Sequence, residues 1–171
     1  MKKEESPAEF YEAQYMAKDQ PLMAIVVWAI TIFSWGVFAV QVILGIPVGN
    51  NPAPDSAVWV IMIVFGILFP LFMFTLRLET KVMNGVFGYR YFPVHLKWRN
   101  IKSREIKKAE VVDYSGLREF GGWGIRWNRR GKAYTVAGRG GVRFTLKGKK
   151  EILFGSKRPE ELLTALNRRS E

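Results

Sequence analysis

Two uncharged apolar runs, Leu22–Ile46 and Ala57–Leu76, stand on either side of the connector Pro47–Ser56. An α-helix rises about 1.5 Å per residue, so about 20 apolar residues cross a hydrocarbon core of roughly 30 Å. A core helix of a soluble domain would place polar residues along one face at a 3.6-residue period. The runs LMAIVVWAITIFSWGVFAVQVILGI and AVWVIMIVFGILFPLFMFTL do not, since their only polar side chains are Thr31, Ser34, Gln41 and Thr75. The hydroxyls can bond back to their own helix. Gln41 does so less easily and is expected to mark a surface that touches another helix. Pro70 is expected to kink the second run and free one carbonyl. The pattern predicts a transmembrane helical hairpin over residues 22–76.

Charge orients the hairpin. The connector PVGNNPAPDS holds no Lys or Arg, whereas 23 of the 26 basic residues lie in 77–171. Basic segments stay on the cytoplasmic side, so the expected location is the cell inner (plasma) membrane, multi-pass, with both termini cytoplasmic. Trp59 suits the outer headgroup layer, and Trp28 and Trp35 are expected to pack against lipid or a partner helix. The chain has no cysteine, which removes disulfides and thiolate chemistry. Acidic residues dominate the stretch before the first run, and the run is longer than a signal-peptide core, so it is expected to be retained.

Around the hairpin, residues 1–21 are predicted to form a cytoplasmic juxtamembrane helix. Met1–Glu5 reads as disordered, Ser6-Pro7-Ala8-Glu9 has the form of a capping box, and EFYEAQYMAKDQ has helical propensity up to Pro21. From Arg77 the pattern alternates. Strands are predicted at 77–83 and 86–92, joined by the hairpin signal Asn84-Gly85. A basic loop, HLKWRNIKSRE, follows, and then strands near 106–114, 122–128, 132–137, 141–147 and 150–154. The last element, RPEELLTALNRR, is an amphipathic helix with acids in its first turn and arginines in its last. About seven strands capped by one helix make an α+β plan of the pleckstrin-homology-like type: a bent antiparallel sheet or barrel with its open end covered.

The series Gly121-Gly122-Trp123-Gly124-Ile125-Arg126, Gly131-Lys132-Ala133-Tyr134, Gly141-Val142, Ile152-Leu153-Phe154-Gly155-Ser156 and Arg158-Pro159-Glu160-Glu161-Leu162 resembles the uncharacterised bacterial membrane proteins that join two transmembrane helices to a cytoplasmic pleckstrin-homology-like domain. The resemblance spans nearly the whole chain and implies no catalytic residues. Glycines in this motif permit positive φ or close backbone approach, and Trp123 is expected to fill or plug the barrel.

Little in the sequence points to chemistry. His95 is the only histidine, and with no cysteine a transition-metal site is not expected; nor is a cofactor or a small-molecule substrate. Gly138-Arg139-Gly140-Gly141 precedes a strand pattern, so it reads as a turn rather than a phosphate cradle. What stands out is charge. Residues 77–171 hold 23 basic and nine acidic residues. One basic cluster comprises Lys97, Trp98, Arg99, Lys102, Arg104, Lys107 and Lys108, and a second comprises Arg126, Arg129, Arg130 and Lys132 beside Trp127. They are the expected contacts for anionic lipid, each Lys or Arg near the leaflet contributing about 1 kcal/mol. The function implied is a non-enzymatic membrane scaffold or interaction module. The alternatives are an accessory subunit of a membrane complex or a homo-oligomer, with Thr31, Ser34 and Gln41 facing a partner helix, and, less well supported, a tethered nucleic-acid binder using Trp98 and Trp127 as stacking platforms.

Overall fold

The structure, a computed structural model, describes residues 9–129, 131–148 and 150–168. Met1–Glu5 and the capping-box residues Ser6, Pro7 and Ala8 lie outside the described residues. The chain forms two compact units, Met16–Leu76 and a second made of Met1–Tyr15 with Arg77–Glu171.

The first unit is the helical hairpin. Its helices, Pro21–Ile43 and Asp55–Thr75, are both long and apolar enough to cross a membrane. Most of their large side chains, among them Leu22, Ile32, Phe33 and Leu71, are exposed. Phe38, Val58 and Met62 form the buried contact between the helices, and the Phe38 ring meets Trp59 edge-on at 4.6 Å. At the base of the hairpin the Met16 N–H donates to the Leu76 carbonyl at 2.9 Å.

The polar residues of the hairpin act within it. The Thr31 and Ser34 hydroxyls donate to the Val27 and Ile30 carbonyls four residues back, at 2.9 and 2.8 Å. Gln41 was expected to mark a contact with another helix. It is buried, and its amide donates to the Ala53 carbonyl at 2.6 Å and to Asp55 Oδ1 at 3.1 Å. It therefore ties the end of the first helix to the start of the second. Pro70 has no N–H to give to the carbonyl of Gly66, four residues back. The Trp35 indole N–H donates to that carbonyl at 3.2 Å, so the freed acceptor is satisfied across the hairpin. The backbone just before Pro70, Met62–Leu68, widens into π-helix, a feature that often accompanies such a disturbance.

The second unit contains two sheets. Strands β1 (Phe10–Tyr15), β2 (Arg77–Met83), β3 (Val86–Phe92) and β4 (Arg99–Lys102) form one antiparallel sheet in that order. Strands β5 (Ile106–Asp113), β6 (Gly124–Trp127), β7 (Gly131–Thr135), β8 (Gly140–Leu146) and β9 (Glu151–Gly155) form the other, in the order β5-β8-β9-β7-β6. The β7–β9 pair is parallel. The fold is thus α+β with one antiparallel and one mixed sheet, and the sheets do not close into a barrel. The C-terminal helix Pro159–Asn167 buries Leu162, Ala165 and Leu166 and packs on β1, β2, β5 and β8, members of both sheets.

Two strands differ from the expected pattern. Residues 10–15 are a strand, not a helix: β1 pairs with β2 from Phe10↔Val82 to Tyr15↔Arg77, so the hairpin is inserted between two neighbouring strands. Glu, Ala and Gln favour helix locally, but here they alternate across a pleat. Phe10, Glu12 and Gln14 turn inward and are buried. The inward polar groups find partners near the other end of the chain. Glu12 accepts from Ser156 Oγ at 2.7 Å and from the Lys157 N–H at 2.8 Å, and Gln14 donates to the Gly155 carbonyl at 2.8 Å. The other difference is β4, expected as basic loop. With Ile101 its sole buried residue, it is too short to show alternation.

Between the sheets lies an aromatic core. Phe87 meets Phe154 at 4.7 Å and Phe144 at 4.8 Å, and Tyr134 stacks on Phe154 at 5.4 Å. Asn84 and Gly85 take φ of 52° and 69°, the left-handed pair that a two-residue hairpin turn requires. Gly121, at φ 67°, closes the short helix Gly116–Phe120. Trp123 does not fill a barrel. It is half-buried and lies on Gly116, where a Cβ would come within 2.8 Å of the indole nitrogen.

Candidate functional site

The two basic clusters do not form one patch. Lys107 and Lys108 lie on β5 and Arg126 on β6, the two opposite edges of the second sheet. Lys108 Nζ sits 2.5 Å from Glu110 Oε2, and this contact holds the Glu110 carboxyl below its usual range. The Arg126 guanidinium donates to the Trp123 carbonyl at 3.1 Å. Lys102 ends β4 and Arg104 sits in the following 3₁₀ turn. Arg130 lies outside the described residues.

Trp98 is engaged within its own sheet. Lys81 Nζ and Arg90 Cζ lie 4.4 and 4.8 Å from its ring centroid, a cation–π arrangement. Beside it, on the outer face of the sheet, Glu79 is buried and bonded to Arg90 and, at 2.8 Å, to Arg77. Burial pushes the Glu79 carboxyl up, but the two guanidiniums outweigh that effect and hold it below its ordinary value. Arg77 and Arg90 in turn lie over Phe92 at 4.7 and 5.9 Å. With its ring covered by cations, Trp98 is not a free platform for stacking a base.

Members of both clusters do meet in one place. An open cleft of about 500 Å³ is lined by Tyr89 and Arg99 from the first sheet, by Trp127, Arg129, Lys132 and Tyr134 from the β6–β7 hairpin, and by Lys150 and Glu151 at the start of β9. Strand register sets these positions. Tyr89 pairs with Arg99, Trp127 with Lys132, and Gly131 with Glu151. Gly131 is required there, because a Cβ would fall 2.0 Å from the Glu151 carbonyl oxygen. Lys132 Nζ lies 5.8 Å from the Trp127 ring centroid, and Trp127 is 67% exposed.

The electrostatics of the cleft are one-sided. Among the described residues, none of Arg99, Arg129, Lys132 and Lys150 is in an ion pair, and Glu151 is the one carboxylate in the lining. Burial pushes the Tyr134 hydroxyl up to about 12, against the opposing pull of Arg99. The His95 ring sits 5.9 Å from Tyr134, and its Nδ1 is buried without a partner among the described residues. Burial, then Arg99, then Lys132, hold the imidazole below its ordinary value. Such a site attracts anions; no group of three metal-ligating side chains occurs among the described residues.

Tyr89, Tyr134, Lys150 and His95 carried no sequence signal as site residues. They come from four separate segments and are brought together only by the sheet order. A further surface lies at the end of the first sheet where Arg77 pairs with Phe92. The loop 93–98 follows Phe92 and exposes Val94 at 55% and Leu96 at 69%, next to Lys97.

No curated protein and no solved structure matches the chain. Its sequence does match one family along nearly its whole length, residues 1–169, and on that match the chain belongs to a family of unknown function, DUF6141.

Proposed function

We propose that the chain is a non-enzymatic protein of the inner membrane, anchored by the apolar hairpin with both termini in the cytoplasm. Its β unit, a pleckstrin-homology-like module, contacts the anionic inner leaflet. The observation that carries the reading is the 93–98 loop. It presents two apolar side chains and Lys97 at the end of the sheet where Arg77 resumes the chain directly after an apolar helix. An apolar tip beside cations suits the headgroup boundary, where aliphatic groups enter the acyl layer and Lys or Arg meet lipid phosphate. The excess of 23 basic over nine acidic residues in 77–171 acts in the same direction.

Two sheets and a C-terminal helix that packs on both support the pleckstrin-homology-like part. Strands β1 and β4 and the parallel pairing of β7 with β9 go beyond the seven-strand antiparallel plan. The accessory-subunit reading loses its sequence argument, because Thr31, Ser34 and Gln41 are used inside the hairpin.

The chain has no cysteine, so single-cysteine labelling tests the reading in the full-length protein. A nitroxide at Leu96→Cys in nanodiscs with anionic lipid is expected to collide more with oxygen than with a water-soluble nickel chelate. The same label at Lys102→Cys, which pairs with Val86 at the opposite end of the sheet, is expected to show the reverse. Equal water exposure at the two sites refutes the docking, and equal depth with neutral and anionic lipid removes the anionic component.

A further inference from the structure

We propose that the cleft between β4 and the β6–β7 hairpin is a binding site for a phosphomonoester, with the dianionic terminal phosphate held between Arg99 and Lys132. This does not rest on the bilayer reading, since the site's groups all belong to the β unit.

The cleft gathers cations that are in no ion pair among the described residues. Four basic groups elsewhere in this unit have acids of their own: Arg77 and Arg90 share Glu79, Lys108 has Glu110 and Arg158 has Glu161. In the cleft, Arg99, Arg129, Lys132 and Lys150 converge from three segments, and the single carboxylate Glu151 leaves an excess of three positive charges. Like charges gathered around a partly enclosed space repel, and an anion that enters relieves several repulsions at once. A monoanion would leave most of the excess in place, whereas a phosphomonoester carries close to two charges at neutral pH.

Geometry favours phosphate as well. A guanidinium offers a planar fork and an ammonium a point charge, the two groups that most often hold phosphate. Tyr89 and Tyr134 belong to the same lining. The exposed face of Trp127, next to Lys132, gives the organic part of the ligand a flat apolar wall. The hairpin that brings Trp127, Arg129 and Lys132 is held against β9 by the parallel pairing of Gly131–Tyr134 with Glu151–Phe154. Arg99, Trp127, Lys132 and Glu151 stand on strands, and Arg129 and Lys150 in the turns beside them.

His95 makes the test direct. It is the only histidine of the chain, so its imidazole gives one set of nuclear magnetic resonance signals. It faces Tyr134, Arg99 and Lys132, with Tyr91 holding its backbone N–H at 2.7 Å. An anion neutralising Arg99 and Lys132 must ease protonation of the ring.

Full-length protein in neutral-lipid nanodiscs is titrated with inorganic phosphate and with pyrophosphate, and with chloride at matched ionic strength. Phosphate or pyrophosphate is expected to raise the His95 titration midpoint saturably, and chloride is not. Lys132→Gln and, as a second variant, Lys150→Gln are each expected to weaken binding about tenfold, the loss of one charge-assisted contact. Lys107→Gln, on the far edge of the second sheet, leaves it unchanged. A parallel arm replaces the soluble anions with phosphatidic acid in the bilayer. A response to lipid alone identifies a headgroup as the source, and a response to the soluble anions identifies a free phosphorylated ligand. The proposal is overturned if no arm shifts His95, if chloride shifts it equally, or if both cleft variants bind as the wild type does.

Discussion

Replacing Glu12 with alanine tests the strand that precedes the hairpin. The Glu12 carboxylate is 6% exposed and accepts from Ser156 Oγ at 2.7 Å and the Lys157 N–H at 2.8 Å. Hydrogen bonds to a charged group contribute about 1.5–3 kcal/mol each. Removing the acceptor takes the charged partner away from the buried Ser156 hydroxyl and from the part-buried Lys157 N–H. The two losses share a site and do not add fully, so about 3 kcal/mol is expected for Glu12→Ala. For a unit of this size that corresponds to a fall in Tm of about 12–20 °C. The full-length protein in detergent is followed by differential scanning fluorimetry, with hydrogen exchange at Tyr11–Gln14 as a local readout. Glu12→Gln keeps one acceptor oxygen and is expected to fall between wild type and alanine. Asp113→Asn, at an exposed position, is expected to stay within about 0.5 kcal/mol of wild type. If Glu12→Ala behaves like Asp113→Asn, residues 10–15 are not clamped to the end of the chain and the sheet order is wrong.

Other consequences follow from single contacts. Glu79 has a folded-state pKa below its ordinary value of 4.5. Its stabilising effect is therefore complete above that value and is lost as pH falls through the lowered one. Wild type is expected to lose Tm on acidification below about pH 4.5, and Glu79→Gln to lose less over that window; parallel curves for the two refute the pairing. Trp35→Phe keeps a ring but removes the donor to the Gly66 carbonyl. A loss of about 1 kcal/mol is expected in an SDS unfolding titration of the hairpin, the scale of a hydrogen bond between membrane helices; a neutral result means that the Gly66 carbonyl has another partner.

The parts of the fold whose physics is local are legible in the residues alone. Two uncharged runs of membrane length produce two long apolar helices whatever surrounds them, because backbone hydrogen bonding within each run is self-contained. Asn84-Gly85 sets its hairpin because both residues tolerate positive φ. The alternating segments after Arg77 place Leu78, Val82, Phe87 and Phe144 in the core, since a pleat turns every second side chain inward. Proline, acids and leucines fix the C-terminal helix. The tertiary structure alone decided whatever depends on partners distant in the chain. FYEAQY is a strand because β2 lies beyond the hairpin and because Ser156 and Lys157 donate to Glu12 and the Gly155 carbonyl accepts from Gln14, none of which its own propensity reveals. The Gly66 carbonyl and Trp35, and Gln41 and Asp55, meet only when the helices pack. The basic residues after the hairpin are dispersed along some ninety positions, and composition could count them without sorting them. The sheet order sends Lys107 and Arg126 to opposite edges and brings Arg99 to Lys132. The reason is that strand pairing, unlike helix formation, joins segments across any length of chain, so charges far apart in sequence become one electrostatic site.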